Sequence, residues 1–213
     1  AIFLAAGTAV AGIFAFLALG AYAAVAERGR VRQAFVAIGR DGLVVAVCMA
    51  VASGGFIVAL NHTSVARVLF VQAVSPVAAA LLAWIALGER VAPRGWVAMA
   101  GALVGVGVMM GAPGGSDLTG DVASLVMMIG FAVAIVVTRH RRDVSMLPAT
   151  CLAQLLLVVT MAPISTPGDV GRQDLVLLIA IGAVQMALGM GLFAAGARLV
   201  PAAEAALITL LEV

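Results

Sequence analysis

From Gly42 to Leu60 the chain runs through apolar residues without one charged side chain, and six more apolar runs of comparable length flank it. These runs constrain the fold more than any motif does. About 20 predominantly apolar residues are what an α-helix needs to cross the roughly 30 Å hydrocarbon core of a bilayer. Inside that core only helices and closed barrels satisfy their own backbone. Composition excludes a soluble fold: 64% of residues are hydrophobic and 10% charged, against roughly 25% charged in soluble domains, and the mean hydropathy is +1.21. The expected class is all-α, a polytopic bundle of membrane helices whose first partner is the lipid bilayer.

The runs are expected at 1–26, 42–60, 65–87, 95–111, 122–138, 147–164 and 175–197, with an eighth beginning near Pro201. The first has no basic region ahead of it and is long enough to span, so it reads as a transmembrane helix and not as a cleavable signal. The eighth is shorter than a span, and the chain opens without methionine, so a fragment of a longer protein is expected. Charge sets the orientation. Arg28, Arg30, Arg32, Arg40, Arg90, Arg94, Arg139, Arg141, Arg142 and Arg198 fall on one side of this alternation, and only Arg67 and Arg172 do not. Positive charge accumulates on the cytoplasmic side, which places the loops around Asp117 and Asp169 outside.

Within this frame the stretch Asn61–Arg94 stands apart. Asn61, His62, Thr63 and Ser64 form a tight outer turn, Gly88 suits a helix C-cap, and Pro93 suits a first helical turn. Between them Pro76 lacks the N–H that would bond the carbonyl of Gln72, which kinks the helix. At membrane depth a freed carbonyl is tolerated beside neighbouring helices or a wet cavity, so Gln72 and Pro76 are expected at a substrate pathway. Arg67, just inside the outer end, either snorkels to lipid phosphate or faces the cavity mouth and meets an anionic group. Glu89 with Arg90 forms either a cytoplasmic gate or an ordinary charged loop, and Trp84 and Trp96 suit an interfacial aromatic belt.

Other features carry less. Gly101 with Gly105, and Gly107 with Gly111, are small-residue pairs that let helices approach, within one protomer or across a homodimer seam. The run Gly105–Gly111 has the wrong spacing for a dinucleotide loop and no strand before it. Cys48 and Cys151 read as buried thiols, and His62 and His140 as solvated loop residues. The sequence has no P-loop, no HExxH and no nucleophile elbow, so neither ATP, metal, cofactor nor nucleic acid is expected, and the chain is not expected to be an enzyme.

Ser64–Gln72, SVARVLFVQ, aligns in layout with Glu204–Glu212, EAALITLLE, the first entering from the outer side and the second from the inner. That is the pattern of an inverted repeat. Together with VARVLFVQAVSP, the Leu87-Gly88-Glu89 stop, the Gly-rich span after it and PAAEAALITLLEV, it resembles the EamA-type members of the drug/metabolite transporter superfamily. The resemblance implies an inverted-repeat transporter fold of ten helices in two five-helix halves, about seven and a half of them present. It divides this chain into residues 1–113 and 114–213. The implied function is secondary transport in a bacterial inner membrane, exporting small metabolites such as amino acids or related amphipathic compounds. Import or exchange of sugar phosphates or nucleotide sugars, and a non-transporting scaffold, are the alternatives. Gln72, Pro76, Gln185, Glu212 and Arg67 are the expected cavity residues. Glu212, deep in its span, is expected to meet a cationic substrate group or carry a coupling proton, or else to be a neutral packing residue.

Overall fold

The structure is a computed structural model that describes residues 12–18, 20–21, 31–88, 91–110 and 117–162, with positions 189, 192, 196, 199, 200, 204 and 208. Every regular element among the described residues is helical. After a helical stretch at 12–18 come α1 (Val31–Ala37), α2 (Gly39–His62), α3 (Val65–Gln72), α4 (Ser75–Leu87), α5 (Pro93–Met110), α6 (Leu118–His140) and α7 (Leu147–Met161). Among the described residues three stretches are long and apolar enough to cross a membrane: α2, α3 with α4 taken together, and α6. At 1.5 Å per residue the 24 residues of α2 extend for roughly 36 Å, beyond the hydrocarbon core. α5 and α7 hold the expected fourth and sixth runs, and the expected span at 175–197 lies almost wholly outside the described residues.

Local chemistry explains the boundaries. Ser64 is extended (φ −72°, ψ 149°) and its Oγ accepts from the Arg67 amide, so it caps α3 in the way serine satisfies a first-turn donor. At the other end of the pair, Gly88 closes α4 in the left-handed region (φ 68°), its amide bonding the Trp84 carbonyl at 3.1 Å, a conformation glycine reaches without a Cβ clash. Pro93 opens α5 and Pro148 stands in the first turn of α7, where a missing amide removes no helical bond. Three hydroxyls inside the apolar helices turn back on their own backbone, Ser124 donating to Gly120 O, Thr150 to Leu147 O and Thr160 to Leu156 O, so that these three ask nothing of lipid.

The chain forms two compact units, each discontinuous in sequence: residues 1–50 with 141–196, and 51–140 with 197–213. In the first, Leu147 and Cys151 form a small core against Phe16, Ala18 and Phe35. At the arginine-bearing end of that unit Arg141 Nη1 donates to Asp41 at 2.7 Å. In the second, α6 is the central element, packing against α4 and α3, and Ala52, Ala59, Val68 and Met127 form a core with Phe131 alongside. The residues at these contacts are small. A Cβ on Gly55 would lie 3.0 Å from Ala123 O and 3.3 Å from Met127 N, and one on Gly120 3.0 Å from the His62 carbonyl carbon. Without directional hydrophobic drive in lipid, such backbone approach is how helices gain dispersion contact.

Of the two glycine pairs expected to do this, Gly101 and Gly105 make no such contact within the protomer: a Cβ at either would meet nothing within 4 Å, and both are exposed among the described residues, while Gly111 of the second pair lies outside the described residues. Spacing marks where a helix can be approached, but only the partner backbone decides where it is. Gly55→Leu is therefore expected to force α2 off α6 and destabilise the detergent-solubilised protein by about 1–3 kcal/mol. Gly101→Ala, in open space on a helix, should leave the melting temperature unchanged or raise it by removing up to about 1 kcal/mol of glycine penalty. Thermal unfolding of the two variants separates these outcomes.

Candidate functional site

The proline at 76 does more than bend a helix. α3 stops at Gln72, Ala73 and Val74 form a turn, and α4 starts afresh at Ser75, with Pro76 in its first turn. The break is bonded on both sides. Ala73 N bonds Leu69 O at 2.9 Å and Val74 N bonds Val71 O at 3.1 Å, while Val74 O accepts from Val77 N and Ala78 N. The residue with no amide thus occupies a place where α4 asks for none.

The side chains around this break differ in burial. Pro76 is buried, Gln72 is half-buried, and Ser75 is fully buried with no hydrogen-bond partner for its Oγ among the described residues. A buried hydroxyl without a partner carries an unreturned desolvation cost of about 1–3 kcal/mol. Beside an interrupted helix it is a donor and an acceptor held ready. Sequence reading missed Ser75 because serine before a helical proline is also an ordinary helix-start residue.

Eight residues toward the outer end, α3 meets α6 through charge. Arg67 Nη2 donates to Asp121 Oδ2 at 3.1 Å, and its Nε stands 2.7 Å from Asp121 Oδ1. Oδ1 is buried and is held by charge proximity instead of an aligned hydrogen bond. One turn earlier His62 Nδ1 lies 3.1 Å from Asp117 Oδ2, both well exposed. The Thr119 backbone N–H, followed by the His62 ring, holds the Asp117 carboxyl below the usual carboxylate range. A depressed carboxylate stabilises the fold above its unfolded value near 3.8 and loses that contribution as pH falls through the lower folded value. Asp117, immediately before α6, and Asp121 in its first turn are four residues apart, which makes two clasps, one to His62 and one to Arg67, on either side of the turn that starts α3.

Arg67 meets an anionic group, the protein's own Asp121, a partner that neither expected reading, lipid phosphate or cavity mouth, had named. Nothing in sequence joined residues 54 apart, although the topology put both at the outer level. Of the other expected site residues, Gln185, Glu212, Glu89 and Arg90 lie outside the described residues. Among the described residues no group of three metal-ligating side chains occurs.

With side chains 26% and 29% exposed, the Arg67–Asp121 pair stands between surface pairs and buried ones in strength. Arg67→Gln or Asp121→Asn is expected to cost about 1–2 kcal/mol of unfolding free energy in detergent. The exchanged pair Arg67→Asp with Asp121→Arg should recover at least half of it, as a double-mutant cycle would measure.

Comparison with known proteins supports a membrane assignment at the level of family. No curated protein and no solved structure matches the chain. Residues 2–111, just over half of it, match the EamA-like transporter family. Those residues contain α1 to α5, the helix break and Arg67, and with them the chain belongs to the EamA-like transporter family, multi-pass helical membrane proteins that act as transporters.

Proposed function

We propose that this protein is a secondary transporter of a bacterial inner membrane that exports small amphipathic metabolites of the amino-acid type, using the helix break at Ala73–Val74 as the centre of its pathway. The break carries the reading. It sets a half-buried amide (Gln72) and an unsatisfied buried hydroxyl (Ser75) at the interruption of a membrane-spanning stretch in a transporter family. Interrupted helices offer ends with partial charge and adaptable backbone groups to a polar cargo at mid-membrane depth.

The charge at the outer end weighs against a phosphorylated cargo. Arg67, the basic residue of the kinked span, is neutralised by Asp121, whereas phosphate recognition calls for guanidinium groups open to bidentate contact. On this reading the two halves are 1–113 and 114–213, Glu89 and Arg90 belong to the inner gate, and Gln185 faces the cavity. Glu212 takes a cationic cargo group or a coupling proton, because an ionised carboxylate at the bilayer centre costs about 2.5–3.5 kcal/mol and is retained where it is used.

Counterflow in proteoliposomes holding the full-length protein, with labelled amino acids and sugar phosphates side by side, tests the reading. Amino acids are expected to exchange and sugar phosphates not. Pro76→Ala, which restores the missing amide, is expected to leave the protein folded and to slow exchange roughly tenfold or more by stiffening a hinge. Glu212→Gln should abolish the dependence of rate on a pH gradient. Exchange of sugar phosphates alone, or full activity in Pro76→Ala, would overturn the proposal.

A further inference from the structure

We infer that the arginine-bearing end of α2 holds an anionic phospholipid, with Arg40 and Arg142 on its phosphate and an acyl chain along the exposed face of α2. Arg40 is the second residue of α2. Residues three, four and seven further along a helix share a face, and here they are Leu43, Val44 and Val47, exposed by 55%, 43% and 45%. In a multi-pass membrane protein such a stripe meets acyl chains. The cation at its head then stands at the depth where those chains end in phosphate.

A second arginine is fixed nearby by an ion pair. Arg141 Nη1 donates to Asp41 Oδ2 at 2.7 Å, and its Nε lies 3.7 Å from Asp143 Oδ1. This pair ties the first turn of α2 to a turn in which Val144 N bonds Arg141 O at 3.0 Å. Arg40 and Arg142 are the chain neighbours of its two members. Both are exposed, and neither has an ion pair or hydrogen bond among the described residues. Arg141 answers the two carboxylates, so the flanking guanidinium groups keep their forks open for the bidentate contact that phosphate accepts.

The chain leading into this end has the two faces of an interfacial segment. Gly39 takes a φ of 53°, a conformation open to glycine, and Ile38 rests on the bare face of Gly42, so α1 and α2 are two helices and not one. α1 packs on α7, with Phe35 against the Leu147–Cys151 core. Its Arg32, Gln33 and Val36 are exposed. An anchored aromatic on one side, with arginine and valine one turn apart on the other, suits a segment lying where hydrocarbon meets headgroups. In this unit the described arginines, Arg32, Arg40, Arg141 and Arg142, are balanced only in part by Asp41 and Asp143. That excess favours an anionic lipid over a zwitterionic one. The inference rests on the membrane assignment and is independent of what the transporter carries.

The test places an indole on the stripe. In the full-length protein Leu43→Trp supplies the reporter, the other tryptophans, Trp84 and Trp96 among them, being replaced by phenylalanine. The protein is reconstituted in phosphatidylcholine vesicles with increasing fractions of phosphatidylglycerol, bromine being carried on the chains of one lipid or the other. Brominated phosphatidylglycerol is expected to quench saturably and about tenfold more effectively per molecule than brominated phosphatidylcholine. Arg40→Gln and Arg142→Gln, each made singly so that one suffices should the other misfold, are expected to lower that preference about threefold apiece. Quenching by phosphatidylcholine, retained in each, reports that the stripe still faces lipid. An unchanged preference in a folded variant, or equal and non-saturating quenching by both lipids, would overturn the inference. Absence of quenching by either lipid would show that protein covers the stripe, with the same result.

Discussion

The rest of this structure depends on the rule that hydrocarbon offers no hydrogen bonds. Each buried backbone group left unpaired costs several kcal/mol in such surroundings, so a membrane helix is broken only where the break can bond itself. The turn at Ala73–Val74 meets that condition: Val74 donates backwards to Val71 and its carbonyl accepts from both Val77 and Ala78. The same residue thus ends one helix and begins the next. Pro76 keeps the two from merging, because a continuous helix through this point would need an amide that proline does not have.

The same rule governs the polar side chains. Hydroxyls of Ser124, Thr150 and Thr160 return to carbonyls three or four residues earlier, and Asn61 donates to Ile57 O at 2.9 Å. Charged groups gather where apolar helices end. Asp41 meets Arg141 in one unit, and Asp121 meets Arg67 in the other. Set against this pattern, the hydroxyls of Thr63 and Ser75 stand out, since neither has a hydrogen-bond partner among the described residues, and of the two residues Ser75 is the fully buried one, at the helix break. Beside an interrupted helix, an unpartnered group of this kind is where a protein can keep capacity for something other than itself.

The sequence made the helices legible because length and apolarity act over many residues and tolerate local error. The outer turn, the Gly88 cap and the Pro93 start were legible too, since each depends on the backbone chemistry of one or two adjacent residues. The packing was not. Gly101 and Gly105 have the spacing of a helix contact but face open space, while Gly55 and Gly120, whose small partners four residues on are Ala59 and Ser124 and not glycine, receive the backbone of a neighbour. The Arg67–Asp121 pair was half legible: a charge just inside a membrane helix must find a partner, but which acid it finds depends on how α3 lies against α6.

That arrangement fixes what α3 can do. It is eight residues long, too short to be stable alone in water and too short to cross a bilayer, so its position is set by the packing of Val68 with Met127 of α6 and by what holds its two ends. At the outer end the Ser64 cap and Arg67 tie it to the turn and to α6. At the inner end only backbone bonds of a two-residue turn join it to α4. The helical bonding changes at the turn, so a rotation of α3 about it would strain the clasp and the packing of Val68 against α6. The side chains nearest the turn, Gln72 and Ser75, would move least in such a rotation, which on the proposed function is what a pathway asks of residues that grip a cargo while the helix ends around them open and close.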